Sequence, residues 1–182
     1  MTGSLAAPQP APALALVIGA ARSGKSCFAE GLITATPRPR RYIATAEARD
    51  DEMRARIARH RADRGSAWTT VEAPLDLGRA LAAARPDEVV LIDCATLWLT
   101  NHLLADHDLD AEVAALLAAL AACPAPVVVV SNEVGAGIVP DNALARRFRD
   151  EQGRLNQRLA ARAELVVTVI AGLPLVLKGQ LP

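Results

Sequence analysis

Eight residues constrain this 182-residue chain more than any other stretch: Gly19-Ala20-Ala21-Arg22-Ser23-Gly24-Lys25-Ser26. They have the spacing GxxxxGK[ST], follow the apolar run Leu14-Ala15-Leu16-Val17-Ile18, and precede Cys27 to Ile33, which reads as a helix. The order is strand, glycine-bounded turn, helix. Glycines let the backbone fold tightly enough that successive N–H groups line one concave nest for phosphate oxygens. The positive end of the following helix faces the same place. Lys25 can reach the outer phosphates as a point charge, and the Ser26 hydroxyl can ligate Mg²⁺. Only Lys25 and Lys178 are lysines in this arginine-rich chain, so the lysine here is not background composition.

The remaining composition narrows the choice of partner. With 52% hydrophobic residues the chain can bury one good core, and it is short for two domains. Twenty basic residues balance twenty acidic ones, which leaves no electrostatic footprint for nucleic acid or an anionic membrane. The 3% aromatic content argues against base-stacking platforms. Cys27, Cys94 and Cys123 are widely spaced in apolar segments, so neither a zinc framework nor a disulfide scaffold is expected. Reduced thiols point to a cytoplasmic location. No segment reads as a membrane-spanning helix. Residues 1–13, rich in Ala and Pro, read as a flexible tail, and residues 14–182 as one domain.

Beyond the first helix, Arg41-Tyr42-Ile43-Ala44 is a predicted strand, with Thr45-Ala46 at its carboxyl end, where ligands gather in open α/β sheets. Residues 50–64 form a predicted helix with acids first and bases last. Arg56, His60 and Arg64 share one stripe of it, and Met53, Ile57 and His60 another, so His60 stands between apolar and basic surface. A partly buried histidine on a solvated basic helix is the plain reading. The sharper one is a histidine beside cations that bind polyphosphate, where neighbouring arginines disfavour the imidazolium and keep the ring nucleophilic. Trp68 to Glu72 is a predicted strand ending in a carboxylate, and Leu75 to Ala84 a helix. Glu88 to Asp93 is a buried strand ending in an acid, the form of a Walker B segment whose Asp93 would hold Mg²⁺. Cys94, not Glu, follows it, which favours transfer over hydrolysis.

Helices are expected at Thr96 to Leu104 and Leu109 to Ala122, with His102 and His107 at the surface or in the loop and no metal cluster around them. Pro126 to Val130 is a further buried strand, and Asn132 to Pro140 a glycine-bearing loop suited to a substrate wall. Asp141-Asn142 could cap a long helix through Ala163. Leu165 to Ile170 and Leu173 to Leu177 complete the strands. Alternating strands and helices give an α/β fold: a single P-loop NTPase-like domain with a central, mainly parallel sheet flanked by helices.

Taken together, GAARSGKS at 19–26, YIATA at 42–46, DDEMRARIARHR at 50–61, DCATLWLTN at 93–101 and SNEVGAGIVPDNALARRFRDEQGRLNQRLA at 131–160 resemble the bifunctional adenosylcobinamide kinase/adenosylcobinamide-phosphate guanylyltransferase family of cobalamin synthesis. The NEVGAGIVP run and the RRFRD and NQ that follow are its specific part, since the P-loop is common to many folds. The resemblance implies phosphorylation of adenosylcobinamide by a nucleoside triphosphate (ATP or GTP). It then implies transfer of GMP from GTP, through a histidine, to adenosylcobinamide phosphate. By position, His60 matches the guanylylated residue. Gly19, Ala20, Ala21, Arg22, Ser23, Gly24, Lys25, Ser26, Ala44, Thr45, Ala46, Arg61, Ala62, Asp63, Arg64, Glu72 and Asp93 match nucleotide contacts, with Lys25 catalytic and Ser26 and Asp93 holding Mg²⁺. Gly65 and Ala73 depart from the family pattern, where proline and a second Glu are expected, which puts the local loop shape in question. The family also implies a homo-oligomer, a trimer, to which the apolar helix Leu109 to Ala122 could contribute unless it is core. Two rival readings are a P-loop small-molecule kinase with no covalent step and a nucleotide-dependent binding module.

Overall fold

The computed structural model describes residues 12–47 and 67–182. Seven strands form one sheet: β1 (Leu14–Gly19), β2 (Arg40–Ala44), β3 (Trp68–Glu72), β4 (Val89–Asp93), β5 (Val127–Asn132), β6 (Leu165–Ile170) and β7 (Leu173–Lys178). Five described helices accompany them: α1 (Lys25–Thr34), α2 (Leu77–Ala82), α3 (Ala95–Leu104), α4 (Leu109–Ala122) and α5 (Ala143–Arg162). The spatial order is β3-β2-β4-β5-β1-β6-β7. Every neighbouring pair is parallel except β6 and β7. The mainly parallel sheet expected from the sequence is therefore present.

Near-continuous Val, Leu and Ile in β1, β4, β5 and β6 reflect burial on both faces, the pattern of a covered parallel sheet. Alternate residues supply two separate cores. Leu14, Leu16, Val90, Ile92, Val127 and Val129 pack toward a layer containing Leu81, Trp98, Leu116 and Leu155. Ala15, Val17, Leu91, Val128, Val130 and Val167 pack toward Ala29 and Ile33 of α1. The Ala/Leu-rich α4 is core on one stripe, burying Leu109, Val113, Leu116 and Leu120. No described helix is long and apolar enough to cross a membrane.

Local chemistry explains the boundaries. Asp76 Oδ1 accepts from the Arg79 N–H at 2.9 Å and starts α2 at Leu77, two residues later than the apolar pattern predicts. The carbonyl of the displaced Leu75 instead accepts from Trp98 Nε1 at 2.8 Å. Asn142 Oδ1 accepts from the Ala145 N–H at 2.7 Å, so the expected cap of α5 is in place. The β6–β7 turn places Ala171 and Gly172 at φ 52° and 80°, a type I′ pattern that turns β7 antiparallel.

At the sheet's amino edge, far from the phosphate loop, Arg41 and Glu88 form a buried fork: Nε to Oε2 at 3.0 Å and Nη2 to Oε1 at 3.3 Å. The Arg85 N–H also donates to Glu88 Oε2, at 2.8 Å. Burial pushes the Glu88 carboxyl upward, but the Arg85 N–H and the Arg41 guanidinium outweigh it, and the group lies below its ordinary value. Its folded-state pKa is thus depressed. The stabilisation is complete above the unfolded-state value and is lost as pH falls through the folded-state one. Glu88→Gln leaves a buried guanidinium unmatched and is expected to cost about 3–5 kcal/mol at neutral pH. Denaturant midpoints should show that gap, and the gap should shrink as acid protonates the wild-type carboxylate. A gap unchanged down to acid unfolding would refute the assignment.

Candidate active site

β1 delivers the chain to Gly19, where any Cβ would lie 2.6 Å from the Val169 carbonyl oxygen and 2.5 Å from Ser23 Oγ, so only glycine fits without moving backbone. Arg22 and Gly24 adopt left-handed φ of 57° and 94° and fold the loop back, and the Ser23 N–H donates to Ala20 O at 3.2 Å. No side chain caps α1 at Gly24, and its first turn carries no acid, so its positive end opens toward the loop. Lys25 Nζ lies across the loop, 3.1 Å from Ala20 O. Ser23 Oγ is buried and, among the described residues, is one of two buried side-chain polar atoms with no hydrogen-bond partner. A concave backbone that tolerates no Cβ, and an orphan hydroxyl beneath it, suit a polyphosphate.

What holds this loop from behind comes from a distant part of the chain. Gly172 N donates to Ser23 O at 2.8 Å, and a Cβ on Gly24 would stand 3.0 Å from Gly172 Cα. The signal was present as an Ala-Gly pair between two apolar runs, which announces a tight hairpin. Nothing in the sequence says that the hairpin reaches the phosphate loop.

The other expected contacts line up along the sheet's carboxyl edge. Strand register sets Ala44 beside both Glu72 and Asp93, and Gly19 beside Asn132. β5 separates β1 from β4, so Asp93 stands two strands from the loop, about 10 Å away at the usual strand spacing. Glu72, on β3, is four strands from it, about 19 Å. Asp93 Oδ2 accepts from the Tyr42 hydroxyl at 2.8 Å, a partner that strand pattern alone does not reveal.

Thr45 is fully buried and latches the edge, its Oγ1 donating to Cys94 O and accepting from Cys94 N, both at 2.8 Å. Asn101 Nδ2 donates to Thr45 O at 2.9 Å and to Pro74 O at 3.0 Å, tying α3 to the exits of β2 and β3. The Cys94 thiol is pushed up to about 11 by burial and the Asp93 charge, which removes it as a nucleophile near neutral pH.

Beyond β5, the Glu133 N–H donates to Gly19 O at 3.0 Å, so the loop from Asn132 to Pro140 departs beside the phosphate cradle. A polar cluster under it comes from α5: Ser131 Oγ donates to Asn156 Oδ1 at 2.6 Å, Gln152 Nε2 to Ser131 Oγ at 2.9 Å, and Asn156 Nδ2 to Asn132 O at 3.0 Å. Arg146 Nη1 donates to the carbonyls of Pro140 and Asp141 at 2.9 and 2.8 Å and fixes the loop's far end. Ile138 and Val139 are left 97% and 63% exposed, an unusual placement for β-branched apolar residues.

Of the residues singled out from sequence, Gly19 to Ser26, Ala44 to Ala46, Glu72 and Asp93 therefore share one edge of the sheet. His60, Arg61, Ala62, Asp63 and Arg64, with the predicted helix 50–64, lie outside the described residues, as does Gly65. His102 needs correction, whereas His107 lies half-exposed in the loop before α4, as expected. His102 is not a surface residue: it is 2% exposed, within α3, with its Nδ1 2.9 Å from His107 Nδ1. Trp98 packs against it, ring centroids 4.5 Å apart, so this face of α3 turns to the core, while Asp106 and Asp108 of the polar break stay exposed.

A mainly parallel sheet with a glycine-built phosphate loop at the carboxyl end of β1 and an acid-ended strand two places away defines a P-loop NTPase-like domain. The ATPase from a type III secretion system has the same fold, with a TM-score of 0.55 at 12% identity, over 85% of this chain and 50% of that one. The model of the family CobU, "Cobinamide kinase / cobinamide phosphate guanyltransferase", matches residues 15–177. The bifunctional adenosylcobalamin biosynthesis protein CobP of Pseudomonas aeruginosa is 49% identical over 168 residues, covering 91% of this chain and 97% of its own. CobU proteins of Salmonella typhimurium and Escherichia coli, named likewise as bifunctional, are 45% and 46% identical over 90% of this chain and 98% of theirs. The chain belongs to the cobinamide kinase/cobinamide phosphate guanyltransferase family.

Proposed function

We propose that this enzyme carries out both steps of nucleotide-loop assembly on a corrinoid, and that the second runs through a guanylylated His60. In the first step the aminopropanol hydroxyl of adenosylcobinamide attacks the γ-phosphorus of ATP or GTP. The bridging P–O bond breaks, the nucleoside diphosphate leaves, and the hydroxyl proton is lost to solvent. In the second, a ring nitrogen of His60 attacks the α-phosphorus of GTP and pyrophosphate leaves. The phosphate oxygen of adenosylcobinamide phosphate then takes the GMP, regenerating the imidazole and giving adenosylcobinamide-GDP. One hard displacement becomes two easier ones.

The observation that carries the reading is the cradle at Gly19 to Ser26, aligned along one edge with Ala44 to Ala46, Glu72 and Asp93. Its N–H groups and Lys25 counter the charge on the polyphosphate, and Arg61 and Arg64 are assigned to the same task by their family position alone. Ser26 and Asp93 offer a hydroxyl and a carboxylate, hard oxygen donors that fit Mg²⁺, and Tyr42 fixes the carboxylate. When bound, the ion supplies charge neutralisation on the phosphates. Exposed Ile138 and Val139 on the loop beside Gly19 form one apolar wall for the corrinoid. A cytoplasmic homotrimer accompanies this reading. β7 offers it an apolar edge through Leu173, Leu175 and Leu177, 71%, 57% and 56% exposed, whereas α4 is occupied with the core.

The decisive experiment is incubation of the protein with α-labelled GTP and Mg²⁺. An acid-labile, base-stable protein adduct, discharged by adenosylcobinamide phosphate, is expected. A protein that phosphorylates adenosylcobinamide yet never takes label would be a kinase with no covalent step. One that binds GTP without releasing pyrophosphate when both corrinoids are supplied would be a binding module.

A further inference from the structure

We propose that His102, His107 and Glu112 form a binding site for a divalent transition-metal ion of the zinc class, apart from the nucleotide edge. Their ligand atoms all lie within 4.8 Å of one another. His102 Nδ1 is 2.9 Å from His107 Nδ1 and 3.8 Å from Glu112 Oε2, and His107 Nδ1 is 4.0 Å from Glu112 Oε1. An ion bound tetrahedrally at about 2.0–2.2 Å holds its ligand atoms about 3.3 Å apart, and these three separations bracket that figure. Side-chain shifts of about half an ångström close the set. Two imidazoles and one carboxylate are three protein ligands, which leaves one position for water. That position has room: His102, His107 and Glu112 line a cavity of about 260 Å³ with Leu75, Asp76 and Trp98.

The fold prepares these groups rather than merely gathering them. His102 Nε2 lies 3.3 Å from the Leu75 carbonyl, which can only accept, so that nitrogen carries the ring proton and Nδ1 presents its lone pair to His107. A carbonyl behind the second ring nitrogen is the usual way a metal-binding histidine is oriented. Trp98 fixes the same ring, centroid to centroid at 4.5 Å.

His107 is positioned by its own N–H, which donates to His102 O at 3.1 Å, and by the left-handed Asp106 before it, at φ 54°. Asp108 caps α4 through the N–H groups of Asp110 and Ala111, which sets Glu112 in the first turn facing both rings. Without an ion, His107 Nδ1–H donates to the His102 Nδ1 lone pair; an ion takes that position once His107 shifts its ring proton to Nε2. The site then clamps the end of α3 to the start of α4.

Titration of the metal-free full-length protein with Co²⁺ and with Zn²⁺ tests this. One equivalent of Co²⁺ should bind with the visible absorption of a low-coordinate site, displaced by Zn²⁺, and Zn²⁺ should raise the thermal midpoint. His107→Ala and Glu112→Gln both lie outside the core, so folding is not the confounder. Each should weaken binding at least tenfold and abolish the thermal shift. Ions held instead by Cys27 or by the Ser26 and Asp93 edge would bind these variants as tightly as wild type, and that result overturns the proposal. So does wild-type protein that takes up no Co²⁺, which would leave the two rings as a plain hydrogen-bonded pair.

Discussion

His60→Ala is expected to lower guanylyl transfer by at least about 10³-fold while leaving phosphorylation of adenosylcobinamide within a few-fold of wild type. The asymmetry follows from the chemistry. In the kinase step the acceptor hydroxyl is itself the nucleophile, and the phosphate loop supplies charge and position. In the guanylyl step as proposed, His60 is the nucleophile, and an alanine has none to offer. Removing a covalent nucleophile leaves only the background of binding and electrostatic stabilisation, and losses of three or more orders of magnitude are usual. The measurement is paired: label incorporated from α-labelled GTP, and adenosylcobinamide phosphate formed from ATP or GTP, on the same preparation with its thermal midpoint recorded. Full labelling of the variant would remove His60 from the mechanism. Equal loss of both reactions at an unchanged midpoint would assign it to nucleotide binding rather than to covalent transfer.

The phosphate loop of this candidate site was legible in the sequence because it rests on backbone geometry with strict residue demands. Gly19 and Gly24 are readable as glycines for the reason they are needed: one sits where a Cβ would strike Val169 O, the other at φ 94°. Asp93 was readable because a polar residue ending a run such as Val89-Val90-Leu91-Ile92 is costly unless something there needs it. Strand neighbours were not legible. No local pattern reports that β5 separates β1 from β4, or that Ala44 pairs with both Glu72 and Asp93.

The same gap hid the supports. Tyr42 on Asp93, Gly172 on Ser23 and Gln152 under Ser131 each join elements distant in the chain. His102 shows the converse failure. A histidine near a predicted helix end looks solvated, and only the packing of Trp98 against its ring turns it inward. The strand at Leu173 to Leu177 was legible, but its antiparallel direction and the exposure of all six residues of β7 were not.

Lys25→Ala, in contrast to the histidine variant, is expected to depress both reactions together, each by about 10²–10³-fold, with weaker nucleotide binding. The lysine's position gives the reason. Its Nζ is held 3.1 Å from Ala20 O, at the lip of a loop whose other donors are backbone N–H groups fixed by Gly19, Gly24 and the Gly172 prop. A full positive charge there opposes charge on whichever phosphate is being displaced, so it serves attack at the γ- and the α-phosphorus alike. Lys25→Arg should recover little. The guanidinium is a broad planar fork, and the space over the Ala20 carbonyl accommodates a compact ammonium. Stability should fall by no more than about 1 kcal/mol, since the side chain is only half-buried and its loop is braced from behind by backbone. Titration with GTP, together with both product assays, separates the outcomes. Phosphorylation retained within tenfold in Lys25→Ala would mean that the loop's N–H groups suffice without the ammonium, and the catalytic assignment of Lys25 would fall while the cradle itself stood.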